Sequence, residues 1–530
     1  MDNVINYVNL TDTTSQYDDL YYKTGNPIAA RYVKATLEID RGNIFIEALP
    51  RPRNEHEIQI VYNNEIPSYS FSNVKNMTTF EKMLAVGLLK NLRFNLPFHS
   101  QLEFQLYNAL LISYWSRKLI ISDKGTIQNT IQNEPTKNNG ILVGDSGSAT
   151  NAGFSLIGYS GCGKSSAIEV LVSHYPQVIM HRFSEYEYFP QIIYIVVNCI
   201  PNSNFGALYE GIGDAIDKAL GNIEPVYSTE INKCRNLGSK AEKVRSLIEK
   251  FAIGAIIFDE IQLIDFEHTK ENTFDSLLTL ANKTKTAIIV VGTEDAKDKM
   301  FSELRTSRRL GMMINGNAYC DNRRFFDILV NNLFYYQWFD VPVECTQDIR
   351  DTLYDLTKGI IDQLISLYSA VHIEYLSTGR RPTVDGAYFS KIAKKYYPGI
   401  QDVLANLENV DNVRRLNEIR QKADNMIEQM MDAAKQNEKA EQIIQSAQQT
   451  VNKSLCLHNI TTNIKRIYDY SDEQIQNAFK KVISRKNNEE MDERQITRLT
   501  IEQLEKKPSR KKAGKRTEVI DNYKSFLGVD

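Results

Sequence analysis

The residues of this chain best suited to chemistry are Gly158-Tyr159-Ser160-Gly161-Cys162-Gly163-Lys164-Ser165-Ser166, which follow the apolar run Phe154-Ser155-Leu156-Ile157. Glycine, four residues and then Gly-Lys-Ser is the spacing of a phosphate-binding loop between a strand and a helix. Glycines let consecutive backbone N–H groups turn inward around an anion, a lysine reaches the β/γ oxygens, and a serine hydroxyl can bind Mg²⁺ at the positive end of the next helix. Gly158, Ser160, Gly161, Cys162, Gly163, Lys164, Ser165 and Ser166 are the expected contacts of ATP, with Ser165 also on Mg²⁺. By residue frequencies alone such a pattern arises about once in fifty chains of this length.

Three later stretches complete a hydrolytic set. Asp259-Glu260 follows the apolar Ala255-Ile256-Ile257-Phe258, which suits Asp259 to hold Mg²⁺ through water and Glu260 to orient or deprotonate the water attacking the γ-phosphate. Thr293 ends the next apolar run, Ala287 to Val291, and can hydrogen-bond that water or the phosphate. In Leu304-Arg305-Thr306-Ser307-Arg308-Arg309, the guanidinium groups of Arg308 and Arg309 could reach a neighbouring subunit's γ-phosphate and make hydrolysis depend on assembly.

The elements that must position these residues read as alternating strands and helices. The run Ile192 to Cys199, the one ending at Glu260 and the one ending at Gly292 have the unbroken apolar character of strands buried on both faces. Helices are expected near Leu208 to Leu220 and Lys240 to Phe251, so the fold class is α/β with a parallel sheet and its ligand at the strands' C-terminal ends. Before the core, Thr79 to Lys118 has helical spacing and residues 123–151 read as a long surface loop. After it, one more strand is expected over Tyr335 to Val341, then helices from Thr346 to Pro398. A seam of Leu416, Ile419, Ala423, Met426, Met430, Ala433, Asn437, Ala440, Ile444, Ala447 and Val451 suits either a coiled coil or a helix packed on its own chain. Ser471 and Gln474 form a capping box, and Lys506 to Arg516 is a basic tail.

With 530 residues, 42% of them hydrophobic and 24% charged, the chain is long enough for two to four domains, and a net charge of −3 gives no global pull toward nucleic acid or membrane. The six cysteines include no C-x-x-C pair, and one lies inside the phosphate loop, which favours a reduced, cytoplasmic setting. No apolar run reaches about 18 residues and the first residues lack an export signal, so neither membrane spanning nor secretion is expected.

Taken together, Gly158 to Ser165, Asp259-Glu260-Ile261-Gln262, Val291-Gly292-Thr293 and Leu304 to Arg309 resemble an AAA+ ATPase. Asn43 to Pro50 and Tyr175 to His181 narrow the resemblance to the TnsC/TniB family of transposition ATPases, over about residues 40 to 400. The resemblance implies an AAA+ P-loop core with an all-α lid and a mostly helical C-terminal extension. The corresponding boundaries are 1–85 for an N-terminal partner-binding region, 86–345 for the core, 346–400 for the lid and 401–530 for the extension with its basic tail. It also implies a homo-oligomer, ring or filament, on duplex DNA that links a target-selector protein to transposase subunits, with ATP favouring assembly and hydrolysis favouring release. Where many AAA+ enzymes carry a lid arginine in G-x-x-R, this chain reads Gly359-Ile360-Ile361-Asp362, so the charge is expected from Arg308 or Arg309 and hydrolysis is expected to be slow. DNA contacts fall to Ser203, Asn204, Lys233, Arg235, Ser239, Lys240 and Lys243, between the second and third core strands, where related rings line their channel. Other readings stay open at this point: a replication initiator or helicase loader sharing every ATPase motif, a nucleotide-gated scaffold without DNA, or a small-molecule kinase.

Overall fold

The computed structural model describes residues 27–121, 127–131, 136–138, 141–143, 153–183, 188–201, 204–264, 273–294, 296, 311–378, 382–404, 410–484 and 492–505. Arg308, Arg309, Ser203, the basic tail and the tyrosines near the N-terminus (Tyr17, Tyr21 and Tyr22) lie outside them. The chain divides into two compact units, Met1–Met431 and Asp432–Asp530.

The first unit opens with the short strand β1 (Ile28–Ala29) and five helices, α1 (Ile44–Glu47), α2 (Glu55–Tyr62), α3 (Phe71–Asn76), α4 (Thr79–Gly87) and α5 (His99–Trp115). Local chemistry starts several of them: Asn54 with Glu57, and Thr78 with Glu81, form capping boxes that satisfy the first free amides of α2 and α4. Two antiparallel ladders follow, β2 (Arg117–Ile121) with β3 (Ile127–Ile131) and β4 (Thr136–Asn138) with β5 (Ile141–Val143). The surface loop expected over 123–151 is thus in part short hairpins, for which the polar Asn/Gln/Lys composition left no apolar alternation to read.

The core sheet is made of β6 (Phe154–Ile157), β9 (Tyr194–Asn198), β10 (Ala255–Asp259), β11 (Ala287–Gly292) and β12 (Met312–Asn315), after the antiparallel pair β7 (Val178–Arg182) and β8 (Tyr188–Ile192). Its order is β12-β6-β11-β10-β9 and every pairing is parallel. All residues of β6, β10 and β11 are buried, which explains their unbroken apolar character. The interleaved helices are α6 (Lys164–Val172), α7 (Phe205–Leu220), α8 (Tyr227–Asn232), α9 (Leu237–Lys250) and α10 (Thr273–Thr284). One expected strand is two: the run from Ile192 to Cys199 breaks at Ile193, so that β8 pairs with β7 in a separate sheet with β1 while β9 pairs with β10. Composition does not reveal such a switch of partner, because both halves are equally buried.

Beyond the sheet come α11 (Arg323–Leu333), α12 (Gln347–Thr357), α13 (Ile361–Ser377), α14 (Gly386–Tyr396), α15 (Ile400–Leu404) and α16 (Val410–Ile467). The strand expected over Tyr335 to Val341 does not form. Trp338 and Phe339 are buried against His372 of α13, with Phe339 stacked at 3.9 Å, and the Gln337 side chain bonds Phe334 O, Val343 O and Val343 N, replacing a ladder. Of the heptad-like seam, Leu416 and Ala423 are buried and Met426 and Met430 half-buried, whereas Ala433, Asn437 and Ala440 are exposed. The second unit packs Ile460, Ile464 and Ile467 of α16 against α17 (Asp472–Ile483) and α18 (Glu493–Glu505), and the Ser471–Gln474 capping box starts α17.

Three histidines of the first unit are buried and a fourth, His174, is half-buried; chiefly by desolvation all are held well below the usual imidazole range: His99 and His372 at about 3, His174 and His181 at about 4. Because their folded values are depressed, the stability they support is complete above pH 6.5 and is lost as pH falls toward 4. The unfolding free energy from urea titration is expected to be flat above pH 6.5 and then to drop, by roughly 1 kcal/mol per histidine for each pH unit, with the midpoint falling in step. A midpoint unchanged between pH 7 and 5 would show that these imidazoles take up protons without unfolding.

Candidate functional site

The phosphate loop grows directly out of the sheet. β6 lies between β11 and β12, and one residue beyond it Gly158 N–H donates to Gly292 O at 3.1 Å. Gly161 and Gly163 take left-handed backbone angles (φ +83° and +93°), which only glycine adopts freely, and Gly163 caps α6 without a side-chain bond. The first amides of α6 therefore meet the cavity unblocked by a capping side chain. Lys164, 5% exposed, donates its ammonium to Gly158 O and Tyr159 O, both at 2.9 Å. Asn317 accepts Tyr159 N–H at 2.5 Å, and buried Tyr319 donates to Cys162 O at 3.3 Å while accepting Ile361 N–H at 3.4 Å, which ties the loop to the start of α13.

These residues border a cavity of about 240 Å³. One side is polar: Ser160, Gly161, Gly163, Lys164, Ser165, Ser166, Glu260 and Asp362. The rest is largely apolar and aromatic, with Tyr62, Leu92, Phe94, Leu96, His99, Ile361 and Ile365, and it also carries the cations Lys90 and Arg93. Gly158 and Cys162, also expected in the ATP site, do not border it. Gly158 serves through its carbonyl and its lack of a side chain, since a methyl there would meet Asn317 Oδ1 and Cys162 Sγ at 2.9 Å. The Cys162 thiol is fully buried with its pKa pushed up by desolvation, which makes it a packing group. All six cysteines are free.

Asp259 and Glu260 stand at the end of β10, beside the loop. Asp259 accepts the Glu260 N–H at 2.9 Å, and Glu260 has φ +55°, a conformation costing on the order of 1 kcal/mol for a residue with a side chain. Its carboxylate accepts from Gln262 Nε2, and Gln262 Oε1 accepts the Thr293 N–H at 3.2 Å. The Thr293 hydroxyl is buried with no partner among the described residues. The loop, both carboxylates and Thr293 thus converge at the C-terminal edge of three adjacent strands. The donor set fits Mg²⁺–ATP: open helix amides and an ammonium for phosphates, Ser165 and Asp259 for the metal, and an apolar wall for a base. Sequence reasoning did not single out Gln262 within Asp-Glu-Ile-Gln, nor Asn317, Tyr319 and the wall from Leu92 to His99, which carry no motif of their own.

The expected DNA residues do not form one uniform basic patch. Asn204 caps α7 by accepting Ala207 N–H at 3.0 Å, and Ser239 closes a capping box with Asn236 at the start of α9. Lys240 is paired with Glu210 and Lys243 with Glu230, the latter at 2.7 Å. Lys233 and Arg235 are exposed and make no ion pair among the described residues.

The arrangement defines a P-loop nucleotide-binding site on a parallel sheet. Residues 150–300 match the family model of an AAA domain. No curated protein matches the chain. Among solved structures, the Aeropyrum pernix Orc1 protein in complex with DNA matches 48% of this chain and 62% of its own at 14% identity. This chain thus spans less than two thirds of that protein, and the TM-score of 0.31 is too low to bear on function. No helix among the described residues is long and apolar enough to cross a membrane.

Removing the Lys164 ammonium leaves the phosphate loop without its buried cation. Lys164→Ala is expected to weaken ATP binding by on the order of a hundredfold, the equivalent of about two charge-assisted hydrogen bonds. Equilibrium binding of a fluorescent ATP analogue checks this, and unchanged affinity would place the nucleotide elsewhere.

Proposed function

We propose that this AAA+ ATPase regulates DNA transposition: with ATP bound it assembles as a homo-oligomer on duplex DNA, links a target-selector protein to transposase subunits, and leaves the DNA after hydrolysis. The observation that carries the reading beyond an ATPase is the mutual packing of the two stretches that resemble the TnsC/TniB family. Phe45 of α1 packs edge-on against His181 of β7 at 5.7 Å, Gln191 Nε2 donates to Phe45 O at 3.2 Å, and His181 is hydrogen-bonded to both Tyr32 and Gln191. Two stretches distant in sequence form one buried joint, so both parts of the resemblance outside the ATPase motifs belong to a single packed region.

Mg²⁺, when bound, would neutralise phosphate charge, held by Ser165 and Asp259. The chain's residues would divide the remaining work. Lys164 and the first amides of α6 hold phosphates, Ser165 and Asp259 orient the metal, and Glu260 accepts a proton from the attacking water. Gln262 keeps the Glu260 carboxylate at the strand edge and Thr293 offers its free hydroxyl beside it. Arg308 and Arg309 are assigned to a neighbouring subunit's site, which makes turnover slow until subunits meet. On the DNA side, Lys233 and Arg235 are the cations with charge to spare, whereas Lys240 and Lys243 are partly neutralised by their glutamates.

Glu260→Gln is expected to bind ATP normally, to lose turnover by at least a hundredfold and to accumulate as oligomers on duplex DNA. ATP turnover measured beside light scattering of the DNA complex tests this; normal ATP binding with no added DNA-bound oligomer would favour the scaffold without DNA. Lys233→Ala with Arg235→Ala is expected to lower the slope of log affinity against log salt by about two on any duplex sequence. An unaltered slope would move the DNA site off this surface.

A further inference from the structure

The cavity holds an acidic side chain where an anion is expected to bind. Asp362, in the first turn of α13, borders it, and Asp362 N–H donates to Gly161 O in the phosphate loop at 3.3 Å. A bare carboxylate there would repel a triphosphate. It is not bare: Arg420 of α16 pairs with it. With the buried Gln363 amide turned to present its oxygen, that oxygen accepts from Arg420 Nη2 at 2.6 Å and Nε at 2.5 Å. The guanidinium is 18% exposed and touches the loop itself, since a methyl group on Gly161 would come within 2.5 Å of Arg420 Nη2 and 3.1 Å of Asp362 Oδ2. Arg420 sits between Leu416 and Ala423, both buried, on the face that docks this part of α16.

We propose that Arg420 is a phosphate-contacting cation of the nucleotide site and that Asp362 competes with the phosphates for it, so that nucleotide binding and docking of residues 410–431 are linked. The proposal rests on ATP occupying the cavity beside Lys164. With α16 docked, Arg420 cancels the Asp362 charge and presents remaining donors toward the loop, because a guanidinium has five N–H groups and Asp362 with Gln363 cannot engage them all. With α16 undocked, the loop would lose the Arg420 guanidinium and Asp362 would stand unpaired beside it; Lys90 on the cavity rim would also be released from Asp424 of α16, but that pair is exposed and screened, so it counts for less. By linkage, ATP must then favour the docked helix as strongly as the docked helix favours ATP.

Opposite signs separate this from a simple structural clamp. Arg420→Ala is expected to weaken ATP binding about tenfold or more, and Arg420→Lys less, because a lysine keeps the charge without the planar fork. Asp362→Asn is expected to strengthen ATP binding several-fold, since it frees Arg420 and removes the repulsion. In the double variant the Asn should recover part of the Ala defect. If the pair only clamps the helix, both single variants break it and must shift ATP affinity in the same direction; that result, or no shift in either, overturns the proposal. Thermal unfolding of each variant shows that folded protein is being compared. Hydrogen exchange over residues 416–423 should slow when ATP is added to the unmodified protein, and exchange indifferent to ATP would overturn the linkage. Lys164→Ala run in parallel separates the two levels: unchanged ATP binding in that variant removes the site assignment, whereas its loss together with like-signed Arg420 and Asp362 effects removes only this inference.

Discussion

The site depends on how closely the chain approaches Gly292. Its carbonyl takes the Gly158 N–H, which carries the β6–β11 ladder one residue into the phosphate loop and fixes where the loop begins. On its other side a side chain has no room: a methyl group at Gly292 would lie 2.9 Å from Gln262 Oε1, 2.9 Å from Ile261 Cγ2 and 3.1 Å from Ala296 Cβ. That gap lets Gln262 reach past the strand end to Thr293 N–H while holding Glu260. One glycine therefore joins the loop of β6, the carboxylates of β10 and the threonine of β11. Each of the three is buried scaffold up to its last residue and polar immediately after.

The remaining charges follow from burial. Arg53 is the clearest case outside the site: it pairs with Glu103, both nearly inaccessible, and also donates to Val170 O at 3.1 Å near the end of α6. Tyr62 donates to the same Glu103 carboxylate at 3.0 Å and stacks on His99 at 4.0 Å. Desolvation raises the Glu103 pKa, and the arginine opposes that rise. Losing either partner would strand a charge in low dielectric, at a cost of about 3–5 kcal/mol. This network binds α2, α5 and the end of α6 together, and Tyr62 and His99 are themselves part of the cavity wall, so that wall is held by the same contacts that hold the loop helix.

What the sequence disclosed was what local pattern encodes. The Gly158 to Ser165 spacing, the carboxylates after an apolar run, the parallel sheet and the Ser471 capping box all rest on residues near one another along the chain. The structure brings the loop, Asp259, Glu260 and Thr293 to one edge, as the strand-end positions implied. What stayed hidden needed tertiary information. Gly359-Ile360-Ile361-Asp362 reads as a lid lacking its cation, and nothing in the chain around residue 420 says that Arg420 of a different helix comes to rest on Asp362. The charge count between β9 and β10 misled for the same reason: Lys240 and Lys243 look like free cations in a list of residues, but their glutamates arrive from α7 and α8. The break at Ile193 and the missing strand at Trp338 were likewise decided by partners distant in sequence.

The ATPase match covers residues 150–300, yet the cavity is not contained in it. Its largely apolar wall, with Lys90 and Arg93, comes from residues 62–99 and one acidic group from residue 362, which Arg420 pairs with from outside the lining. The matched region supplies the glycine loop and Glu260 and leaves the rest of the pocket to segments before and after it. Those segments are joined to the loop by few, short connections: Tyr319 between Cys162 and Ile361, the Asp362 amide on Gly161, and the Arg53 network on α6. The position of the loop is therefore physically coupled to segments outside the matched region. Tyr319 and the Asp362 amide hold the loop from outside the matched region and Arg53 holds the far end of its helix, so the loop and these flanking helices cannot shift independently of one another.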